Sequence, residues 1–406
     1  MKRRVAILVG VPTPYREPIF ERLAASDQYE TLVLYSRDRQ PGQNWSLGNH
    51  AYPALCLKNY APRSWHGRFA IGAINPGVLH ALGRFRPDAI IVYGYNSLTN
   101  LMAMLWATLH PTPFLLRSDS NILDEQGKAW PRLAVKKILL KCLIKKASAI
   151  LAVGTLNQAY WCRYGAAPEN IVRAYYAVDN HFFQTGADQH RVDRQRIRHE
   201  ARWSERFLLL YVGRLVVEKR VDVLIESMRV LSARRPDIGL LVVGDGPTRR
   251  PLEGLAREMP HVHFEGFRDQ PYLPKYYGSA DLLVLPSQCE QWGLVVNEAM
   301  ASGLPVIATR KVGAARDLIS NGENGYIVRE NDPVALASAI DRACQSEQHL
   351  RMLGDRAQQT VQSWNYESTL AGFHEALSRC FGATNSPAKN SLDEPRPELG
   401  ERSRLF

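Results

Sequence analysis

The chain has 406 residues, 45% of them hydrophobic and 22% charged, with a formal net charge of +11. That length fits about two domains, each large enough for its own core, and the composition is ordinary for a soluble protein. The six cysteines, Cys56, Cys142, Cys162, Cys289, Cys344 and Cys380, form no C-x-x-C pair and no metal-type spacing, which disfavours a disulfide framework and points to structural thiols in a reducing compartment.

Met1 to Val11 (MKRRVAILVGV) imitates a signal peptide, but Pro12, Pro14, Arg16 and Glu17 follow at once with no small-residue cleavage site, so it is expected as a first strand. Further strand-like runs at Thr31 to Tyr35, Ala89 to Tyr93, Phe114 to Arg117 and Ala149 to Val153 alternate with helical patterns, as in a doubly wound parallel sheet. The turn VPTPYREP leads into a helix near Ile19 to Ala25. Turns at the carboxyl ends of parallel strands bind ligands, so Arg16 is a candidate phosphate or substrate contact, with a plain surface arginine as the alternative. The uncharged stretch between Asp88 and Arg117 is long enough to span a bilayer, yet Gly94, Asn96, Asn100, His110, Pro111 and Pro113 break it into a strand, a loop and a helix over Leu98 to Leu109. His110 reads as structural.

Pro131 to Ala147 (PRLAVKKILLKCLIKKA) is a basic helix in which Lys137, Lys141 and Lys145 make one positive stripe, while Arg132, Lys136 and Lys146 fall among apolar positions. A peripheral membrane contact and a plain solvated helix are the two readings. Residues 1–187 carry 22 Lys plus Arg against 11 Asp plus Glu, and residues 188–406 carry 29 against 29, so the whole basic excess sits in the first half. Such asymmetry suits an anionic membrane or a nucleic acid, with a plain solvated basic face as the alternative. Gln184 to Arg206, polar and rich in Arg, His and Asp, reads as a linker.

A second α/β unit follows, with strands at Phe207 to Val212, Gly239 to Val243, His261 to Phe264, Asp281 to Leu285, Pro305 to Ala308 and Gly325 to Val328, and with helices between them, the last over Pro333 to Glu347. Its opening, YVGRLVVEKRVDVLIESM, places Gly213 and Arg214 after a strand and Lys219 before a helix. Two cations at a strand-to-helix turn suit a diphosphate, Arg as a bidentate fork and Lys as a mobile point charge. The next turn, with Gly244, Asp245 and Gly246, lacks the third glycine of a dinucleotide fingerprint and is read as a tight turn with Asp245 as a helix cap. After Asp281 to Pro286 comes Glu290 to Pro305 (EQWGLVVNEAMASGLP), where a Gly-containing loop runs into a helix and offers free N–H groups to an anion. Glu290 and Glu298, eight positions apart, can accept from hydroxyls at the two ends of one ligand. Phosphate plus several hydroxyls describes a nucleotide sugar.

E-x7-E followed by AMASGLPVIA resembles the signature of the retaining GT-B glycosyltransferases of family 4, the group 1 glycosyltransferases; the resemblance covers residues of about 1 to 381 and is most specific over 207 to 330. It implies two Rossmann-like α/β domains whose parallel sheets face a cleft: an acceptor domain (1–187), a linker (188–206), a nucleotide-sugar domain (207–363), a closing helix over 364–383 that crosses back onto the first domain, and a disordered tail (384–406). It also implies a metal-independent retaining hexosyltransferase that needs no cofactor beyond its nucleoside-diphosphate sugar. In that reading Arg214 and Lys219 hold the diphosphate and stabilise the leaving nucleotide, Glu290 binds the donor sugar and Glu298 the ribose. Gly213, Phe267, Arg268, Trp292, Gly293 and Leu294 line the donor site, the loop FEGFR reading the base through its backbone. Arg220 stands where the family pattern often has glycine. In LLRSDSN, Arg117, Ser118 and Asp119 face the acceptor, and Asp119 takes the catalytic place where relatives often carry histidine. The acceptor is expected to be a glycan or lipid-linked hydroxyl in surface polysaccharide or glycolipid synthesis, in the cytoplasm, with an anionic membrane surface as a further partner and no nucleic acid. A sugar-nucleotide epimerase, a phosphorylase of the same shape and a basic nucleic-acid-binding module are the rival readings; the pyridoxal-binding lysine motif of a phosphorylase is not found.

Overall fold

Apolar runs rich in Val, Ile and Leu form two separate parallel sheets in the computed structural model, which describes residues 1–38, 50–62, 73–125 and 130–382, with only the backbone at 124–125 and 130–132. The expected tail, 384–406, and the last residue of the segment 364–383 lie outside the described residues. In the first sheet, β1 (Arg3–Val9), β2 (Tyr29–Tyr35), β3 (Ala54–Cys56), β4 (Ala89–Tyr93), β5 (Phe114–Arg117), β6 (Ala149–Ala152) and β7 (Ile171–Arg173) pair in the order β3-β2-β1-β4-β5-β6-β7. In the second, β8 (Phe207–Val212), β9 (Ile238–Val243), β10 (Val262–Gly266), β11 (Leu282–Leu285), β12 (Val306–Thr309) and β13 (Gly325–Val328) pair in the order β10-β9-β8-β11-β12-β13.

Helices cover both faces of each sheet, which is why the strands lack polar alternation. On one face of the first sheet, helices Gly77–Phe85, Leu98–Leu109, Trp130–Lys146 and Thr155–Arg163 close a core around Leu8, Ile90, Leu116 and Ile150. On the other, Glu17–Ala25 and the last helix, Tyr366–Cys380, pack on Ile7, Val33, Ile91 and Leu151. The segment from Met1 to Val11 therefore supplies a central strand, paired with β2 and β4. The stretch between Asp88 and Arg117 divides into β4, a loop and the helix Leu98–Leu109, and among the described residues no helix is long and apolar enough to cross a membrane.

Where a linker is expected the chain instead forms two helices, Asn180–Val192 and Arg194–Glu200. The Asp179 carboxylate starts the first by accepting from Phe182 N at 2.9 Å, and Phe183, Ala187 and Ile197 are buried in the second domain's core. Their few apolar positions are spaced to one side, so the abundant charges lie outside. A further helix, Glu347–Val361, follows Pro333–Ala343, where one helix is expected.

Strand order reverses once in each sheet. β1 lies between β2 and β4, and β8 between β9 and β11, so the turns leaving β1 and β4, and those leaving β8 and β11, diverge and open a crevice at the carboxyl ends of the strands. The two crevices are joined by contacts between the domains.

Candidate functional site

The turn after β8 begins the site. Gly213 N donates to Val243 O at 3.0 Å and Leu215 N to Asp245 O at 2.9 Å, which lashes this turn to the one after β9. The lashing requires glycine at 244: a Cβ there would lie 1.9 Å from Gly213 O. Asp245 caps its own turn, accepting from Gly246 N at 2.7 Å, and Thr248 rather than Asp245 precedes the helix Arg249–Leu255, so the expected helix-cap role is corrected. Arg214 is exposed, and its carbonyl accepts from Tyr211 Oη at 3.1 Å. Phe267 and Arg268 follow β10, two strands along the same edge; Phe267 is exposed, and Arg268 donates to Tyr276 Oη at 2.6 Å and Glu265 at 3.2 Å.

Lys219 pairs with Glu290, each side chain about one-fifth exposed. The loops carrying them are joined by Gln288 N donating to Glu218 O at 3.0 Å, and Glu290 is held in a backbone bridge to Val312. Burial pushes the Lys219 ammonium down to about 8, with Cys289 and Glu218 pulling it back; the Glu290 contact also favours the charged form. Arg220 keeps the left-handed conformation that its position demands, at φ +51°, and its guanidinium is held by Asp222, Gln288 and Asn331. Gly293, at φ +92°, caps the helix Leu294–Ala301, and a Cβ on it would lie 3.2 Å from the Glu290 side chain, so the helix starts beside that carboxylate.

Glu298 is fully buried, and its two oxygens accept at 2.6 Å from Tyr277 of its own domain and at 2.6 Å from Tyr15, which reaches across from the turn after β1. Burial raises the Glu298 pKa and the two hydrogen bonds offset part of that rise; both tyrosines are pushed well above their ordinary value, by burial first and then by the carboxylate. Trp292, expected at the donor, is 4% exposed and belongs to the joint between domains. Its ring stacks on Trp364 at 5.3 Å and meets Tyr176 at 6.2 Å, and its Nε1 donates to Asn297 at 2.9 Å. Two more links cross the joint. Thr155 donates through its backbone N to Asp317 at 3.0 Å and also through its hydroxyl, and Asn121 Nδ2 donates to Gln291 O at 3.1 Å.

On the first domain's side, Arg16 lies over the Tyr93 ring at 5.3 Å and reaches Tyr176 Oη at 3.5 Å, while Tyr176 donates to Asp119 at 3.4 Å. Burial opposes the Arg16 charge, but Tyr176 and Asp119 outweigh it and its pKa is raised. Arg117, expected to face the acceptor, is turned into the core at 3% exposure; it donates to Ala174 O at 2.7 Å amid the rings of Tyr93, Tyr176 and Phe373. Ser118 is buried too and supports its own loop, accepting from Ser120 N at 3.1 Å. His110 stacks on Trp106 at 4.2 Å at the end of its helix, as a structural residue would.

The structure thus brings Lys219 and Glu290 into contact and gathers Arg16, Asp119 and Tyr176 on the facing side. It sets Arg117, Ser118 and Trp292 inside packed structure. Tyr15, Tyr277, Tyr176 and Asp317 were not singled out from the sequence. Tyr15 and Tyr176 lie within the stretches VPTPYREP and YYAVDNHFF at strand ends, but an aromatic there carries no sign of which carboxylate it will meet.

Residues 193–360 match the family described as glycosyl transferases group 1. The chain is 26% identical over 393 residues to the sulfoquinovosyl transferase SQD2 of Arabidopsis thaliana, covering 90% of this chain and 71% of that protein. It is 30% identical over 249 residues to a D-inositol 3-phosphate glycosyltransferase of Thermomonospora curvata, and spans only 56% of that protein's length. Among solved structures, Anabaena HepE in complex with UDP superposes with a TM-score of 0.73 at 21% identity, over 93% of this chain and 100% of that one, a likeness of fold; the same protein has been solved with UDP-glucose. The two-domain α/β architecture is that of GT-B glycosyltransferases.

Proposed function

We propose, from the match of residues 193–360 to the group 1 glycosyl transferases, that the chain moves a sugar from a nucleoside-diphosphate sugar to a hydroxyl of a glycan or lipid-linked acceptor, with retention of anomeric configuration and without a metal. The observation that carries this reading is the contact of Lys219 with Glu290 at the reversal point of the second sheet, beside Arg214 and the Gly293 helix start. Arg214 and Lys219 are suited to the diphosphate, where their charge stabilises the departing nucleotide. Glu290, released from Lys219 by the incoming phosphates, accepts from the donor sugar's hydroxyls, and Glu298 serves the ribose once Tyr15 moves away. The acceptor hydroxyl attacks from the same face as the leaving diphosphate and passes its proton to a diphosphate oxygen, with Asp119 and Arg16 on the facing wall positioning the acceptor. UDP is the nucleotide favoured for a first trial, because the neighbouring fold has been solved with it. The curated relatives quoted above are transferases, which gives a sugar-nucleotide epimerase no support.

The test begins with a thermal-shift comparison of UDP-, GDP- and ADP-sugars and continues with radiolabelled turnover of the donor that binds. Arg214→Ala and Glu290→Ala are each expected to reduce turnover by about 100-fold or more. Undiminished turnover in both variants would overturn the site assignment.

A further inference from the structure

The basic excess of the first half gathers on one face of the first domain. The four helices there, Gly77–Phe85, Leu98–Leu109, Trp130–Lys146 and Thr155–Arg163, contain no Asp or Glu at all. Exposed on them are Arg84, Lys137, Lys141, Lys145, Lys146 and Arg163. The two helices on the opposite face, Glu17–Ala25 and Tyr366–Cys380, carry Glu17, Glu21, Glu367 and Glu375 against Arg22 and Arg379. These helices also leave large aliphatic side chains in solvent: Leu105 is 59% exposed, Leu109 70%, Val135 69% and Ile138 67%.

Within Trp130–Lys146 the two kinds of residue share one exposed face. Positions 134, 135, 137, 138, 141, 142, 145 and 146 are exposed and share one half of the helix circumference, whereas Leu140 is buried. Ala134, Val135, Ile138 and Cys142 lie within that half, with Lys137 and Lys141 along one flank, Lys146 on the other and Lys145 between Ala134 and Ile138. Lys136, which blurs the amphipathic pattern in the sequence, turns inward and lies over the Tyr160 ring at 4.8 Å and the Tyr164 ring at 5.3 Å. Exposed aliphatic side chains interleaved with lysines on a helix without a carboxylate are the chemistry of an interfacial helix, in which apolar side chains enter the acyl boundary and lysine stems let ammonium groups stay with the head groups.

We propose that this four-helix face docks the protein on an anionic lipid bilayer, with Val135 and Ile138 entering the interface and Lys137, Lys141 and Lys145 contacting the head groups. Aliphatic side chains among the lysines favour a bilayer over a nucleic acid, which would be met by cations with aromatic rings. The helices of this face begin at the carboxyl ends of the strands, so a bilayer lying against them extends to the mouth of the crevice, where a lipid-linked hydroxyl would enter. The docking depends on surface chemistry alone and stands apart from the transfer reaction.

Flotation of the full chain with phosphatidylcholine vesicles, with and without phosphatidylglycerol, tests it. Binding is expected only to the anionic vesicles, weakening as salt rises. The triple variant Lys137→Glu, Lys141→Glu, Lys145→Glu should lose at least about tenfold in partition, given the contribution of each cation near such a surface. Val135→Ser with Ile138→Ser should also weaken partition, while the thermal melt and nucleotide binding of both variants match the parent. Equal binding to neutral vesicles, unchanged partition in both variants, or displacement of the vesicles by a DNA oligonucleotide would overturn the proposal. Vesicle binding without sugar transfer would leave it standing and count against the transferase reading alone.

Discussion

Lys219 sits where burial lowers the pKa of its ammonium while Cys289 and Glu218 oppose that shift. Burial is the larger influence and brings its pKa down to about 8. Below that pH the side chain is a cation able to meet a diphosphate; above it the charge is lost. The value of kcat/KM, which reports groups of the free enzyme, is therefore expected to fall as pH rises through about 8. In Lys219→Arg, whose guanidinium stays protonated, the same limb should disappear from the profile; persistence of the limb would assign it to another group. At this scale the sequence makes the placement of Arg214 and Lys219 legible: both lie on the turn between β8 and the helix Val221–Ser232. A strand-end arginine looks the same in sequence whether it faces a cleft or, as Arg117 does, is enclosed by Tyr93, Tyr176 and Phe373, rings brought by distant segments. Arg220 shows the converse case, a side chain that stabilises by its own hydrogen bonds a conformation for which glycine would have been chosen.

The elements that were legible are those with long apolar runs covered on both faces. β4, β5, β8 and β13 begin and end where the apolar pattern does. The three-residue edge strands β3 and β7 escaped because so short a run has no period to read. Asn180–Val192 and Arg194–Glu200 escaped because a narrow apolar stripe is outnumbered by charge. Turn packing decides stability at this level. Gly244→Ala drives a Cβ to 1.9 Å from Gly213 O, so the turns after β8 and β9 must part, and a loss of about 1–3 kcal/mol is expected together with weakened nucleotide binding. Gly83→Ala, in a helix with open space around the new methyl, should instead stabilise by about 0.5–1 kcal/mol. Urea unfolding of the pair checks both signs; equal effects would refute the role given to the turn.

Across the whole molecule, the structure is closed on itself through Tyr15, Asn121, Thr155 and Trp292, each meeting the second domain or the joint. In this closed form the carboxylate assigned to the ribose is already engaged by the Tyr15 hydroxyl. Removing that hydroxyl by Tyr15→Phe should lower stability by about 1.5–3 kcal/mol, the range for a hydrogen bond to a charged group, and should tighten UDP binding by freeing Glu298 Oε1. A melt and a calorimetric titration check the two effects, and weaker UDP binding in the variant would argue that Tyr15 supports the nucleotide instead of competing with it. A joint of this kind leaves no trace in the local pattern of the sequence, since each half of every contact lies in a different domain.

The last helix, Tyr366–Cys380, packs on the first domain's sheet, and its Phe373 forms one wall around Arg117. During translation the first sheet therefore leaves the ribosome with that face partly bare, and the missing cover arrives only after the entire second domain has been made. The completed cover of the first sheet therefore reports that the rest has been synthesised, and a message broken before the final helix leaves a first domain with an unsheltered guanidinium and an open apolar face.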